Sequence, residues 1–444
     1  MLLEFSIKNY KMFSEEALLC MVKEGRSSTE LQSSSLLKYT TIDDEGKTHV
    51  TRVNPLGIIY GQNGSGKTSL LLALPNLFYF TGIVYGGIQN PLGQIKAESF
   101  FADKRDKDKP IHFYISTLDA ALNLVFEYSI DIDMNNGRLY YGNEKLKFTE
   151  LHVKHNGEQD VDENSFKNIF VRENNTINSD FDELSSYINA IQLQDTGIES
   201  SVLQKIININ QEKFTDYRDS KLRKKVDSFV KTCVEIKTDR KFEAHNIPDT
   251  IYMHNTNVDP EYKSLIRMLE EATNFKADLI EAFYAVDTGI TDINIKTDED
   301  GKHILFTHGQ GENKILVALD DESDGTRKFI SQFMRMYQTV NNHGVFIVDE
   351  LENNYHPEIQ KYIINLFIKN KAQLIFTTHN TELMNYGSVP IESIMFIDKN
   401  PTTNNADVYQ LIDFEGNLNR SKYNIRKMYE QGRLGAFPRI VEVS

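Results

Sequence analysis

Cysteine is nearly absent: Cys20 and Cys233 are the only two in 444 residues. Two thiols build neither the disulfide framework of a small secreted fold nor a four-cysteine metal centre. Long apolar runs are missing as well, none approaching the ~18 residues of a membrane span. The stretch Met1-Leu2-Leu3-Glu4-Phe5-Ser6-Ile7-Lys8 alternates like a strand and lacks the apolar centre of a signal peptide. A cytoplasmic protein with no membrane partner is expected. There is no internal repeat, no low-complexity tract, and no heptad pattern long enough for an extended coiled coil. Basic residues are in the minority. The net charge of −15 argues against non-specific DNA binding by the whole surface, so nucleic-acid contact needs a local basic patch. A content of 40% hydrophobic and 25% charged residues suits a folded soluble chain. A length of 444 residues exceeds what one simple core supports and implies two or three lobes.

What the chain does carry is Gly61-Gln62-Asn63-Gly64-Ser65-Gly66-Lys67-Thr68, between the apolar runs Leu56–Tyr60 and Leu70–Leu74. Strand, glycine loop and helix in that order are the context of a phosphate-binding loop. Glycines at 61, 64 and 66 let the backbone approach a polyphosphate and offer it N–H groups. The helix that follows starts with its positive end toward the phosphates. Lys67 supplies a point charge for the β- and γ-oxygens, and the Thr68 hydroxyl suits one Mg²⁺ position. Asn63, Ser65 and Ser69 are counted with them as nucleotide-binding residues. The bland alternative is a glycine turn between a strand and a helix.

Along the chain, Leu3, Phe5 and Ile7 alternate in a first strand ending at Asn9-Tyr10-Lys11-Met12-Phe13. Strand-like runs at Ile111–Ser116, Leu122–Ile132 and Arg138–Tyr141, with a hairpin turn at Asn135-Asn136-Gly137, predict an antiparallel sheet. From about 151 to 300 helical patterns dominate, at Ile198–Asn210, Ser220–Ile236 and Tyr262–Val286. The densest basic cluster, Arg218 with Lys221, Arg223, Lys224 and Lys225, lies there and reads either as a solvated helix face or as a nucleic-acid contact. After 301 come the short apolar runs Val345–Val348, Leu374–Phe376 and Ile394–Ile397, with a helix over Pro357–Phe367. These predict buried parallel strands joined by right-handed crossovers. The expected organisation is an N-terminal ATPase lobe at 1–150, a mainly helical insertion at 151–300 and a C-terminal ATPase lobe at 301–444.

Asp349 and Glu350 end the strand Val345–Val348. In a chain with a phosphate loop, Asp349 is placed to hold Mg²⁺ with Thr68, and Glu350 to orient or deprotonate the attacking water. A simple strand cap is the alternative. His379, in Thr377-Thr378-His379-Asn380, follows the next strand and is placed to sense the γ-phosphate, though a histidine there can also be structural. Ser323-Asp324-Gly325-Thr326 precedes a helical run with Phe329, Ile330, Phe333, Met336, Tyr337 and Val340 on one face. Ser323, Gly325 and Thr326 either present a helix start to a partner subunit's nucleotide or form an ordinary N-cap.

Together these motifs resemble an ABC-type ATPase head of the RecF, SMC and OLD branch: an α/β P-loop fold with an antiparallel β subdomain and a helical insertion. Asn9-Tyr10-Lys11-Met12-Phe13 is similar to the opening of that branch, and Leu351–Pro357 to its loop after Walker B. A narrower resemblance rests on Glu322–Thr326, Phe396-Ile397-Asp398-Lys399, Leu411-Ile412-Asp413-Phe414 and Tyr429–Pro438. These look like stand-alone bacterial ATPases of the AbiLi and RloA type, to which AriA of the PARIS phage-defence system is related. The resemblance implies ATP and Mg²⁺ sandwiched between two heads, Lys67 and Thr68 of one subunit facing Ser323 and Gly325 of the other. It further implies Glu350 as hydrolytic base, Asp349 as metal-associated acid and His379 as γ-phosphate switch. Gln89 and Gln94 are the candidates for a glutamine loop.

The leading expectation is a slow ATPase switch. It assembles as a dimer or higher oligomer and controls a separately encoded nuclease in antiphage defence, with DNA or a phage protein as trigger. The chain has no His-Asn-His constellation of its own, and no Asn-Lys-x-Asp motif that would select GTP. The alternative is a RecF- or SMC-like repair ATPase acting directly on DNA. A transporter subunit is disfavoured by the signature and the insertion.

Overall fold

The phosphate-loop strand Leu56–Gly61 lies inside a six-stranded sheet. In the computed structural model the described residues are 1–42, 47–83, 101–153, 159–162, 165–174, 176–194, 200–208, 220–239, 260–285, 288–299, 301–353, 355–414 and 423–437. The strand order is Ile236–Thr238, Val345–Val348, Gln373–Thr377, Leu56–Gly61, Ile394–Lys399 and Ala406–Gln410. All neighbours are parallel except the last pair, which is antiparallel. The parallel strands therefore bring Gly61, Asp349 and Thr377 to one edge, the carboxyl end, where open α/β sheets bind ligands.

The sheet is buried on both faces, and its side chains alternate between two cores. Ile59, Val345, Ile347, Ile375, Met395 and Ile397 face one; Ile58, Tyr60, Phe346, Val348, Leu374, Phe376 and Phe396 face the other. The first core is closed by the phosphate-loop helix Lys67–Phe80, apolar around most of its girth, as befits a helix packed between layers. Beyond it lies an antiparallel sheet of seven strands, among them Leu2–Lys8, Ile111–Asp119, Leu124–Asn135 and Arg138–Glu150. The second core is closed by the helices Pro260–Glu271, Phe275–Ala285, Asp324–Asn341 and Pro357–Lys369.

Gln373 ties the two sheets together. Fully buried, it accepts from Leu2 N at 2.7 Å and donates to Leu2 O at 2.8 Å and Asn54 O at 3.1 Å. Its amide thus satisfies backbone groups that would otherwise be stranded where the sheets meet.

The predicted hairpin forms, with Asn136 (φ 49°) and Gly137 (φ 74°) both left-handed between paired Asn135 and Arg138. That is the two-residue turn whose twist matches the strands. The stretch 151–300 carries the expected helices, with altered bounds. Val202–Ile207 is shorter than the pattern suggested, and Lys221–Val234 gives way to the strand Ile236–Thr238. The pattern over 262–286 resolves into Pro260–Glu271 and Phe275–Ala285, broken around Thr273-Asn274, where a β-branched residue and an asparagine favour helix ends.

The same stretch is knitted into both sheets. Lys167–Glu173 pairs with Arg138–Glu150, and Ile236–Thr238 with Val345–Val348. A buried network reinforces the attachment. Glu144 accepts from Arg172 Nη2 (2.9 Å), Tyr128 Oη (2.9 Å), Val202 N (2.7 Å) and Leu203 N (3.0 Å). Burial raises the Glu144 carboxyl pKa, with Arg172 and the two backbone N–H groups opposing it.

Among the described residues no helix is long and apolar enough to cross a membrane.

Candidate nucleotide site

The loop between Gly61 and Lys67 is shaped by close approach. A Cβ on Gly61 would lie 2.6 Å from Ile397 O and 2.7 Å from Ser65 Oγ, and one on Gly66 (φ 107°) 2.9 Å from the Phe13 ring. Phe13 and Met12, from the Asn9–Phe13 segment, thus floor the loop. Among the described residues no acceptor meets the N–H groups of Asn63, Gly64, Gly66, Lys67 or Thr68, and Ser65 Oγ is enclosed without a partner. Leftover donors gathered at a helix start are what a polyphosphate requires.

Lys67 is 6% exposed and curls back on the loop, donating to Gly61 O at 2.8 Å and Gln62 O at 3.0 Å. It makes no ion pair among the described residues. Burial lowers its pKa, opposed by Asp349, Glu350 and Glu352. A buried ammonium held by neutral carbonyls is a charge in want of an anion.

Asp349 sits opposite, 3% exposed. Its Oδ2 accepts from Thr68 Oγ1 at 2.9 Å, and its Oδ1 from Thr377 Oγ1 at 2.6 Å. The hydroxyl–carboxylate pair fits a hard cation that shares its remaining positions with phosphate and water. Among the described residues no cluster of three or more His, Cys, Asp or Glu side chains exists to hold a metal by protein ligands alone. Glu350 follows in the left-handed region (φ 52°), an uncommon backbone for glutamate. Its N–H donates to Thr377 Oγ1 at 2.7 Å, and Asn353 Nδ2 reaches its Oε2. Asp349 and Glu350 therefore point to different neighbours although adjacent in sequence.

The His379 side chain reaches solvent, and the residue's main-chain N–H donates to Glu352 Oε1 at 2.6 Å. Surrounding protein strips enough water from the ring to lower its pKa, and the Lys67 charge lowers it further. Asn380 is fixed by four bonds: its O accepts from Tyr60 Oη at 3.1 Å, its Nδ2 donates to Gln360 at 2.9 Å, its N–H donates to Thr378 Oγ1 at 3.0 Å, and its Oδ1 accepts from Glu382 N at 3.0 Å. The tail joins the site as well, Gln62 Nε2 donating to Phe437 O at 2.8 Å.

Ser323 is the N-cap of the 18-residue helix Asp324–Asn341, its Oγ accepting from Thr326 N at 3.1 Å. The capping alternative is thus realised, and it leaves Ser323, Asp324 and Gly325 exposed at a helix start. Glu322 anchors the turn through His308 Nε2 at 2.6 Å. Thr377, Glu352 and Asn353 belong to this site; the sequence places Glu352 there only as one of the acids at 349–352 and flags neither Thr377 nor Asn353. The Asp-Glu-x-Glu spacing was the one available signal for Glu352. Gln89, Gln94 and Arg218 lie outside the described residues.

A glycine loop with spare donors, a buried lysine and a hydroxyl–carboxylate pair on one sheet edge define a P-loop nucleotide-binding ATPase head. Over residues 57–385 the chain matches the family described as "AAA domain, putative AbiEii toxin, Type IV TA system", and it belongs to that family. Three solved structures align with the chain at low scores. The SMC head domain from Thermotoga maritima aligns at 10% identity and TM-score 0.37, over 92% of this chain and 98% of its own. The Smc head domain from Pyrococcus furiosus, with an extended coiled coil and bound to the C-terminal domain of ScpA, aligns at 12% and 0.40, over 97% and 99%. That from Pyrococcus yayanosii, with a coiled coil and joint, aligns at 11% and 0.41, over 97% and 99%. No curated protein matches the chain.

Proposed function

We propose that this protein binds Mg²⁺-ATP, hydrolyses it slowly and works as an ABC-type switch whose ATP-bound heads pair. The observation that carries the reading is the buried Lys67 ammonium, held only by two loop carbonyls, together with the Thr68–Asp349 pair. Mg²⁺, held by Thr68 and Asp349, would neutralise charge on the phosphates. Lys67 exchanges its two carbonyls for the β- and γ-oxygens, and the loop N–H groups bind the remainder. Glu350 takes a proton from the attacking water. Ser323, Gly325 and Thr326 of a second copy complete the γ-phosphate's surroundings, the exposure of Ser323 and Gly325 in one copy being what supports this role.

We assign 1–150 and 301–444 to the two ATPase lobes and 151–300 to a mainly helical insertion, the whole controlling a separately encoded effector, a nuclease serving antiphage defence. Likeness of the signature and tail to ATPases of the AbiLi and RloA type supports this assignment, as does the toxin–antitoxin description of the family. The trigger would be DNA or a phage protein. Direct action on DNA is the weaker reading, because the basic helix is partly neutralised. Arg223 Nε lies 2.8 Å from Asp227, and Lys225 Nζ lies 2.5 Å from Glu150 and over the Phe148 ring.

The test combines hydrolysis with size. Purified protein should release phosphate from Mg²⁺-ATP and shift to a larger species on a light-scattering column with ATP but not ADP. A species unchanged in size at saturating Mg²⁺-ATP would rule out ATP-driven pairing. Tight, salt-dependent DNA binding without nucleotide would favour the repair reading.

Proton linkage gives a second measurement. With its pKa lowered, the His379 ring is neutral at pH 7 in the free protein. A γ-phosphate beside it favours the imidazolium, so ATP binding should take up a proton and tighten as pH falls toward the ordinary histidine range of about 6.5. Calorimetry in buffers of different ionisation enthalpy reads this uptake. It should vanish in His379→Ala, and no uptake in the wild type would remove the histidine from the γ-phosphate.

A further inference from the structure

Glu352 lies in the site without a part in the mechanism given above. It stands on the single turn Leu351–Asn353, pinned by fully buried Leu351 and by Asn353 N donating to Glu350 O at 2.9 Å. One carboxylate oxygen, Oε1, accepts the His379 N–H at 2.6 Å. The other, Oε2, is enclosed and has no hydrogen-bond partner among the described residues. An enclosed carboxylate oxygen without a donor is unfavourable. An enclosed acceptor beside a switch histidine points to a donor that turns to it when the ligand binds. The charged groups acting on the His379 ring are Lys67, Glu352, Glu350 and Asp349. Of the three carboxylates, Asp349 is committed to Thr68 and Thr377, and Glu350 is engaged by Asn353.

We propose that Glu352 is a positioning residue for ATP hydrolysis. It clamps the His379 main chain through Oε1 and accepts one ring N–H of His379 through Oε2 when the γ-phosphate accepts the other. The imidazolium has a donor at each nitrogen, so it can bridge a phosphate and a carboxylate. A carboxylate behind a histidine fixes the ring's orientation, as it does for many functional histidines. This assignment rests on the ATPase reading of the site. Glu352 exchanges no proton and forms no covalent bond in the scheme; it acts through His379.

The experiment compares wild type, Glu352→Gln, Glu352→Ala, His379→Ala and the double alanine variant, measuring kcat for Mg²⁺-ATP hydrolysis and ATP Kd. Glutamine keeps an oxygen for the His379 N–H but puts an NH₂ donor where the ring N–H needs an acceptor. Its kcat should fall about 10-fold. Each alanine variant should lose about 100-fold in kcat, because a misoriented group next to the reacting phosphate is costly. In the two Glu352 single variants ATP Kd should stay within about twofold of wild type, which also reports that they are folded. The double variant should be no worse than either single one, since both break the same link. Wild-type kcat in Glu352→Ala, or a double variant whose loss is the product of the single losses, would overturn the proposal. A wild-type protein that hydrolyses no ATP would fail at the ATPase reading itself, a result separable from normal hydrolysis by the Glu352 variants.

Discussion

Glu350→Gln should bind ATP at least as tightly as the wild type and hydrolyse it about 1,000-fold more slowly. The substitution is nearly isosteric. Its side-chain oxygen can still accept from Asn353 Nδ2, and its main chain keeps the Thr377 contact and the left-handed turn. What it loses is the ability to take a proton, the chemistry assigned to this carboxylate. It also removes one negative charge from a pocket where Asp349 and Glu352 remain beside Lys67, so an anionic nucleotide meets less repulsion. A slow step with retained ATP should leave the paired species long-lived on a sizing column. Single-turnover hydrolysis separates this from a binding defect. Hydrolysis at the wild-type rate would take the base role from Glu350, and Glu352, two residues on, would be the next carboxylate to examine.

The phosphate loop could be read from the chain because its requirements are local: glycines where backbone must approach closely, and a lysine and threonine opening a helix. The turn at Asn136-Gly137 was readable for the same reason, as left-handed backbone selects those residues wherever they occur. The central strands announced themselves as continuous apolar runs, since both faces of the sheet are covered. Ile236–Thr238 did not, because three residues carry no period and the strand exists only by pairing with Val345–Val348. The helix pair at 260–285 merged into one pattern because its apolar face continues across the break. Gln373 and Thr377 were silent, and Glu352 had no role of its own, for another reason. Each earns its place through a partner far away in sequence, and a polar residue at a strand end or in a turn looks the same with or without one. The two readings of the Ser323 turn are compatible, since it caps its helix and still leaves an exposed helix start.

Lys67→Ala should abolish measurable hydrolysis and weaken ATP binding, since removing the ammonium forfeits charge-assisted bonds worth about 3 kcal/mol, or roughly 100-fold in Kd. Its greater use is in a mixing experiment. Ser323→Asp is an independent lesion: aspartate caps a helix as well as serine does, so the fold is preserved, while its charge would confront a partner's γ-phosphate. Each variant alone should be inactive, one for want of a lysine and the other through repulsion at the completing surface. In a mixed pair, the intact loop of the Ser323→Asp copy meets the intact Ser323 of the Lys67→Ala copy, restoring one site of two. With equal amounts mixing at random, half the pairs are mixed, so hydrolysis should return to about a quarter of wild type if sites act independently. A site completed within one chain gives no such recovery, because every chain then carries one lesion in its only site. Titrating one variant into the other should trace a curve peaking at equal amounts. A flat line would mean that the exposed turn at Ser323 serves its own helix and nothing across the pair.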